Sequence, residues 1–241
     1  MHAKLFALVT ALAPLPSGCS RTEPVSEAKT AQAQISTIKS TPRTMPLTAP
    51  PDDKLGTRGG DFGLAIGAPA PDARVFEADG KEVSLAALYA RGPTLIVFYR
   101  GGWCPFCNTQ LHALAEANGD FTRRGVSLVA ISVDKADEAS KTRASWTIPF
   151  AVLADPLLAA HDAFRVTRVV DASELEKLRG FGIDLEQASG QTHHKIAVPS
   201  IFLVALADGQ PVVRWAHVDP EYKVRPSVAQ LLQMIDRVLV R

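Results

Sequence analysis

The feature that most constrains this chain is a pair of cysteines, Cys104 and Cys107, separated by two residues. A continuous apolar run over residues 95–99 precedes the pair, and a segment with helical periodicity follows it. A cysteine at a helix start faces unpaired backbone amides and the positive end of the helix dipole, which favour the thiolate over the thiol. Cys107 would lie one turn further along the helix. The spacing therefore predicts a redox-active dithiol in which Cys104, the more exposed thiol, attacks and Cys107 resolves.

Two other interpretations of the pair stay open at this point. An inert disulfide is one, although a bridge over so few residues closes a small loop and adds little chain-entropy stabilisation. A metal site is the other, although zinc sites usually take four ligands and the sequence offers only one close cysteine pair. We expect no bound metal and no other cofactor.

Length and charge limit the remaining choices. The 241 residues, 46% hydrophobic and 21% charged, are enough for one sizeable core. The 26 basic residues nearly balance the 25 acidic ones, so no patterning points to a nucleic-acid partner. The three cysteines cannot all pair with one another, and Cys19 stands far from the other two.

The N-terminus has the pattern of an export signal. Lys4 precedes a short apolar stretch over residues 5–15, and small residues lead to Cys19. The stretch is about half the length of a membrane-spanning helix. We expect a signal peptide over residues 1–19 with lipidation at Cys19, as in bacterial lipoproteins; ordinary export and a frayed cytosolic start are the alternatives. Residues 20–60 contain no aromatic residue and predict a disordered tether.

From residue 66 the sequence becomes that of a globular domain, which we place at residues 66–241. An Asp-Gly turn predicts a hairpin over residues 75–83, and Ser84 is a plausible N-cap for a short helix. Two apolar runs, residues 94–99 and 126–133, predict buried parallel strands on either side of the helix that carries the cysteines. The later elements are a helix over 136–146, an extended piece over 149–153 and a helix over 155–164.

The stretch from 165 to 197 is the least regular part of the sequence. It predicts one helix, near residues 173–179, in a polar insertion with His193 and His194. These histidines would lie near the thiols only if the insertion folds back, and a solvated loop is the alternative. The remaining elements are strands over 201–206 and 212–218 and a closing helix over 226–240. Arg214 and Arg225 are interpreted as surface charges.

Two places resemble the thioredoxin superfamily: the Trp-Cys-Pro-Phe-Cys motif at residues 103–107 and the Val198-Pro199-Ser200 segment. Further segments resemble the peroxiredoxin-like branch of the alkyl hydroperoxide reductase and thiol-specific antioxidant family. They are residues 66–72, 80–85, 98–104, 181–185 and 216–222. The resemblance covers residues 66–241. It implies an α/β thioredoxin-like fold, a central mixed sheet flanked by helices, with an N-terminal hairpin extension.

The resemblance also implies which residues surround the dithiol. In the superfamily a proline in a cis peptide bond faces the two thiols, a position that falls on Pro199. Trp103, Pro105, Phe106 and Pro199 would then face the substrate, beside the catalytic pair.

One departure from the family pattern concerns peroxide activation. Peroxiredoxins use a Pro-x-x-x-Thr-x-x-Cys loop and a distant arginine. Counting back from Cys104, Gly101 takes the threonine position and Val97 the proline position, and the strand position of the arginine holds Pro199. Arg100 is the nearby positive charge that could substitute.

The resemblance implies a thiol peroxidase of the bacterial cell envelope. It would reduce small hydroperoxides through Cys104 and Cys107, would be regenerated by a thioredoxin-like reductant, and would meet the membrane only through its lipid anchor. The missing threonine and arginine favour an alternative, a dithiol-disulfide oxidoreductase acting on protein disulfides. A non-catalytic metal carrier is the third hypothesis.

Overall fold

A central seven-stranded sheet organises the domain, and a two-stranded sheet lies apart from it. The computed structural model describes residues 44–239. The large sheet has the order β2-β1-β5-β4-β3-β8-β9, and β6 pairs with β7. The strands are β1 (Arg74–Phe76), β2 (Glu82–Ser84), β3 (Thr94–Phe98), β4 (Ser127–Ser132), β5 (Ala151–Ala154), β6 (Thr167–Val169), β7 (Lys195–Ala197), β8 (Ser200–Ala207) and β9 (Gln210–Val218).

Helices cover both faces of the large sheet. They are α1 (Leu85–Tyr89), α2 (Pro105–Glu116), α3 (Asn118–Arg123), α4 (Ala136–Ser145), α5 (Ala159–Ala163), α6 (Ala172–Gly180), α7 (Leu185–Ser189) and α8 (Val228–Leu239). The central strand β3 is parallel to β4 and antiparallel to β8, so the sheet is mixed. The prediction of a thioredoxin-like α/β fold with a central mixed sheet is confirmed.

The strand that leads to the dithiol is buried along its whole length. Because side chains alternate across a strand, Leu95 and Val97 enter the cluster that contains α2 residue Leu111, whereas Ile96 and Phe98 enter the cluster on the opposite face. All five residues of β3 are buried. The carboxyl end of β3, and the loop after it, are thereby fixed against both cores.

The predicted N-terminal hairpin is present and extends the sheet at one edge. Val75 of β1 pairs with Val83 of β2, and Phe76 pairs antiparallel with Ala154 of β5. Ser84 caps α1 by accepting a hydrogen bond from the Ala87 amide. The helix expected from residue 155 begins later, at Ala159, because the preceding Leu158 has a left-handed backbone with φ of 63°.

The prediction of a disordered tether over residues 20–60 is wrong for its last part. Residues 44–50, which we call the N-terminal strap, lie against the domain: the Thr48 amide donates to Lys223, and the Thr48 carbonyl accepts from the Arg225 amide. The Gln230 side chain donates to the carbonyl of buried Pro50. Backbone pairing of this kind needs no aromatic residue, so the composition gave no sign of it. Residues 1–43, with the expected signal peptide, Cys19 and the rest of the tether, lie outside the described residues.

The insertion over residues 165–197 is more ordered than its sequence indicates. Strands β6 and β7 pair across its base, for example Arg168 with Ile196. Asp171 caps α6 and Asp184 caps α7 through side-chain hydrogen bonds to backbone amides. The insertion thus places α6 beside the dithiol loop. In the part of the chain from 44 to 239, no helix is both long and apolar enough to cross a membrane.

Candidate active site

The loop between β3 and α2 has a shape that only glycines allow. Gly101 has φ of 152°, and a Cβ built on it would lie within 3.0 Å of Trp103 Nε1 and Asp134 Oδ1. The Gly102 amide donates to Asp134 Oδ2 over 2.7 Å, and Asn108 Nδ2 donates to the Gly102 carbonyl over 2.7 Å. A threonine at position 101 would not fit this turn. The loop therefore differs from the peroxiredoxin loop in its backbone conformation, and its own hydrogen bonds to Asp134 and Asn108 hold that conformation.

This loop delivers Cys104 to the start of α2 and Cys107 to its first turn. Cys104 is the N-cap residue, followed by Pro105 at the first helical position, where a missing N–H costs nothing. Both thiols are free and both are buried, with 1% of Cys104 and none of Cys107 exposed. Cys104 is the slightly more exposed of the two thiols, although both are buried. The two thiols differ in access, because Cys104 lines a cavity whose lining does not include Cys107.

The two thiols titrate as a pair. Burial raises the pKa of Cys107, but the hydrogen bond from Cys104 and the positive charges of Arg225 and Arg100 outweigh burial and hold it at about 6. The pKa of Cys104 is raised, first by that hydrogen bond to Cys107 and then by burial and the partner's charge, with Arg100 opposing the rise. One proton is thus shared between two sulfurs at neutral pH.

Arg100 is buried beside the pair and is held from three sides. Its guanidinium lies 5.1 Å from the centre of the Trp103 ring and 4.7 Å from that of Tyr222. Its Nη2 donates to Glu174 Oε1 over 3.1 Å. Among the described residues, its buried Nε has no hydrogen-bond partner. The charge of Arg100 is therefore fixed next to Cys104, with one donor left over.

Arg225 is the functional residue that the sequence interpretation missed. It is 3% exposed, not a surface charge, and its Nη2 lies 3.9 Å from Cys107 Sγ. The adjoining Val224 carbonyl accepts from its Nη1, over 3.1 Å. Arg225 stands far from the cysteines in sequence, directly before the last helix, and no motif marks it. Arg225 thus places a guanidinium beside the dithiol, although Pro199 occupies the strand position of the peroxiredoxin arginine.

Asp134 is a second missed residue, and here a signal was available. It follows β4, and the carboxyl ends of neighbouring parallel strands meet at one sheet edge, which places it beside the loop after β3. It is 1% exposed, and burial raises its pKa to about 7 despite hydrogen bonds from Gly102 and Ser132. Burial, and then the charge of Asp134, also raises the pKa of Tyr99.

A cavity of about 740 Å³ opens onto Cys104. Its walls include Trp103, Pro105 and Phe106, three of the residues expected to face the substrate, and the insertion adds Leu178, Phe181 and Ile183. Phe181 is 81% exposed, so one wall of the cavity continues as apolar surface. The cavity is much larger than a hydrogen peroxide molecule and could admit a bulkier group.

Pro199 does not take the place that the resemblance implied for it, and the two histidines form contacts of their own. Between residues 44 and 239 every peptide bond is trans, including the one before Pro199, and the cavity lining does not include Pro199. Pro199 is buried, and its carbonyl accepts from the Asp219 amide. His193 Nε2 contacts the Pro156 carbonyl, and His194 Nε2 pairs with Glu186. His194 thus contacts a residue of the insertion, and His193 contacts the segment that precedes α5.

The described residues offer no site for a metal carrier. Between residues 44 and 239, no group of three or more His, Cys, Asp or Glu side chains is placed to hold a metal ion. The groups around the dithiol are instead two guanidiniums, one carboxyl and aromatic rings. This arrangement stabilises a thiolate.

Known proteins resemble this chain in sequence and in fold. A relative from Mycobacterium tuberculosis, assigned to the peroxiredoxins by its name, is 34% identical over 93 residues. That match is 39% of this chain and 59% of the relative, so the chain spans less than two thirds of the relative's length.

Two solved structures share the fold. Reduced Prx3 of Vibrio vulnificus, in complex with hydrogen peroxide, superposes with a TM-score of 0.58 at 13% identity, over 71% of this chain and 99% of that one. A yeast mitochondrial 1-Cys peroxiredoxin, described with a thiol-resolving mechanism via glutathione and thioredoxin systems, gives 0.56 at 15% identity, over 73% and 77%.

The sequence model of the AhpC/TSA family matches residues 66–206, which contain both cysteines, Arg100, Asp134 and the insertion. The match covers more than half of the chain. With the dithiol at the carboxyl end of β3 and the peroxiredoxin-like sheet around it, the chain belongs to the AhpC/TSA family.

Proposed function

We propose that this protein is a thiol peroxidase that reduces hydroperoxides through a Cys104 and Cys107 dithiol-disulfide cycle. One observation carries the proposal: Cys104 lies at the wall of a cavity that buried Arg100 also lines, with a second thiol one helical turn behind it. Family membership and the peroxiredoxin fold of the solved neighbours support the same reaction class.

The first step is attack by Cys104 on the hydroperoxide. The shared proton passes from Cys104 to Cys107 along their hydrogen bond, which leaves the thiolate on the sulfur that borders the cavity. The Cys104 thiolate attacks the distal, hydroxyl oxygen of the peroxide, so an S–O bond forms as the O–O bond breaks. The leaving alkoxide takes a proton and departs as an alcohol, or as water from hydrogen peroxide. Arg100 lines the same cavity, and its guanidinium stabilises the negative charge that develops on the peroxide.

The second step closes the disulfide. Cys104 is now a sulfenic acid, and Cys107 attacks its sulfur. The S–S bond forms, the S–O bond breaks, and the hydroxyl leaves as water with the proton of the Cys107 thiol. Cys107 lies in the first turn of the helix that Cys104 caps, so resolution requires no second subunit.

A thioredoxin-like dithiol protein is the proposed reductant. Its thiolate would attack the disulfide to form a mixed disulfide, which its second thiol would then resolve, so two electrons pass to the Cys104 and Cys107 pair and the donor leaves oxidised. The open apolar cavity with exposed Phe181 supports docking of a polypeptide at Cys104. The proposed setting is the bacterial cell envelope, with a lipid anchor at Cys19, and it rests on the leader pattern of residues 1–19.

The peroxidase proposal is tested by stopped-flow oxidation of the reduced full chain. Trp103 lies beside the dithiol, so its fluorescence should change when Cys104 is oxidised, and the change should be lost in Trp103→Phe. We expect a second-order rate with hydrogen peroxide or cumene hydroperoxide far above that of free cysteine. Cys104→Ser should abolish the reaction, whereas Cys107→Ser should keep the first step and lose the disulfide.

A parallel assay separates the peroxidase from the protein-disulfide oxidoreductase. Reduction of insulin disulfides by the dithiol form should be slow compared with peroxide reduction. A peroxide rate no higher than that of free cysteine, together with rapid insulin reduction, would reject the peroxidase proposal in favour of the alternative.

A further inference from the structure

Among the described residues Arg225 has no carboxylate partner, which distinguishes it from Arg100. Between residues 44 and 239, no Asp or Glu oxygen lies within 4.0 Å of its guanidinium, whereas Arg100 pairs with Glu174. Its buried Nε also lacks a hydrogen-bond acceptor within the described part of the chain. Burying an unpaired charge is costly, so a lone buried guanidinium calls for another source of negative charge.

The N-terminal strap keeps this cation in place and out of water. Thr48 accepts the Arg225 amide hydrogen, and an isolated bridge joins Thr48 to Val224. Leu47 and Ala49 line the small cavity of about 220 Å³ that Arg225 also borders. Arg225 is therefore held between the strap and the dithiol helix.

The sulfur of Cys107 is the group beside Arg225 that can carry a negative charge. The other titratable groups around it do not substitute. Arg100 is a second cation. Burial raises the pKa of Asp134 and of Tyr99, which disfavours their charged forms, and burial lowers the pKa of His217, which disfavours a positive charge on that ring next to Arg225. A thiolate at Cys107 would offset the Arg225 charge over the 3.9 Å contact.

We propose that Arg225 is the counter-ion of the dithiol thiolate and thereby stabilises the reduced pair over the Cys104 and Cys107 disulfide. This inference rests on the dithiol-disulfide cycle of the proposed function. Reduction of the disulfide takes two electrons and one proton from a dithiol donor and yields one thiolate and one thiol, and the donor's second proton goes to solvent. The thiolate meets the charge of Arg225, whereas the neutral disulfide leaves that charge unpaired. Arg225 therefore makes the disulfide more oxidising and easier for a reductant to open.

The size of the effect follows from the titration of the pair. With a first pKa of about 6, ionisation favours the reduced form about tenfold at pH 7, which is about 30 mV for a two-electron couple. If loss of the Arg225 charge raises that pKa to 8 or above, nearly all of this preference disappears. At pH 5 both thiols are protonated with or without Arg225, so the preference should vanish.

The test is a redox titration of the full chain in dithiothreitol buffers at pH 7 and pH 5, after oxidation with diamide. We expect Arg225→Met to stabilise the disulfide about tenfold at pH 7 and to match the parent protein at pH 5. Arg225→Lys, which keeps a positive charge, should restore part of the difference. Arg214→Met is the matched control, because Arg214 lies on β9 without an ion pair among the described residues, and it should change nothing.

Melting temperatures of the reduced and oxidised forms give an independent measurement. The reduced form of the parent protein should gain stability relative to its oxidised form as the pH rises from 5 to 7, and Arg225→Met should lose that gain. Equal potentials for the parent and Arg225→Met at pH 7 would overturn the inference, even if the peroxidase reaction is observed. The expected shift without peroxide reactivity would instead reject the proposed function and leave the role of Arg225 standing. If Arg225→Met does not fold, two results together would overturn the inference. The redox potential of Arg225→Lys would equal that of the parent, and the melting temperatures of the parent would show no pH-dependent gain of the reduced form.

Discussion

Asp134→Asn should change how stability depends on pH. Burial raises the pKa of Asp134 from 3.8 to about 7, so between these values the folded chain holds a proton that the unfolded chain has released. The stability of the parent protein therefore falls as pH rises through this window. At about 1.4 kcal/mol per pKa unit, the group removes about 2.5 kcal/mol between pH 5 and pH 8. Asparagine cannot ionise, so the variant should not show this loss.

Urea unfolding of the reduced parent and variant at pH 5 and pH 8 measures the effect. The comparison is made as variant minus parent at each pH, so that the titration of the dithiol cancels to first order. The difference should move in favour of Asp134→Asn by about 2.5 kcal/mol on going to pH 8, a midpoint change of about 1 M in urea. Asp137→Asn, at an exposed position on α4, should show no such change. The same difference at both pH values would refute the reasoning about Asp134.

Three further predictions concern the walls of the site. Gly102→Ala should reduce the free energy of unfolding by about 1–3 kcal/mol, because its Cβ would overlap Thr142 Oγ1, and a lower melting temperature would show this. Adding Thr142→Ala should recover part of the loss. Arg100→Met should slow peroxide oxidation about a hundredfold in stopped flow, with Arg214→Met as control. Glu174→Gln should destabilise the chain at pH 7, and this effect should be lost progressively as the pH falls below 4.5, the ordinary pKa of a glutamate. The hydrogen bond from Arg168 lowers the pKa of Glu174, so its contribution is present above its unfolded pKa and lost as pH falls through the folded one.

The sheet and the dithiol were predictable because their signals are local. The apolar runs that became β3 and β4 are continuous and bounded by turn residues, and residues 103–107 place both cysteines at a helix start. The hairpin of β1 and β2 follows from its Asp-Gly turn. These elements depend on neighbours in the sequence, which a single sequence shows directly.

The electrostatics of the site were not predictable, because they depend on contacts between distant residues. Arg225 is 118 positions from Cys107, and its burial depends on pairing with Thr48 in a strap whose composition resembles a linker. Pro199 shows the opposite error: its place in the sequence matches the superfamily pattern, but its backbone is trans and it does not line the cavity. The near-complete burial of Cys104 was not predictable, because the insertion after residue 165 folds over the helix start and forms a wall of the cavity.

The most direct test of the account is to identify the sulfur that peroxide oxidises first. Cys107→Ser and Cys104→Ser, each treated with one equivalent of hydrogen peroxide and trapped with dimedone, would be analysed by peptide mass spectrometry. The account predicts one adduct at Cys104 in Cys107→Ser and none in Cys104→Ser, with an intact Cys104 and Cys107 disulfide in the parent protein. An adduct at Cys107 that forms as fast as parent oxidation would contradict it, because the buried sulfur beside Arg225 would then be the nucleophile.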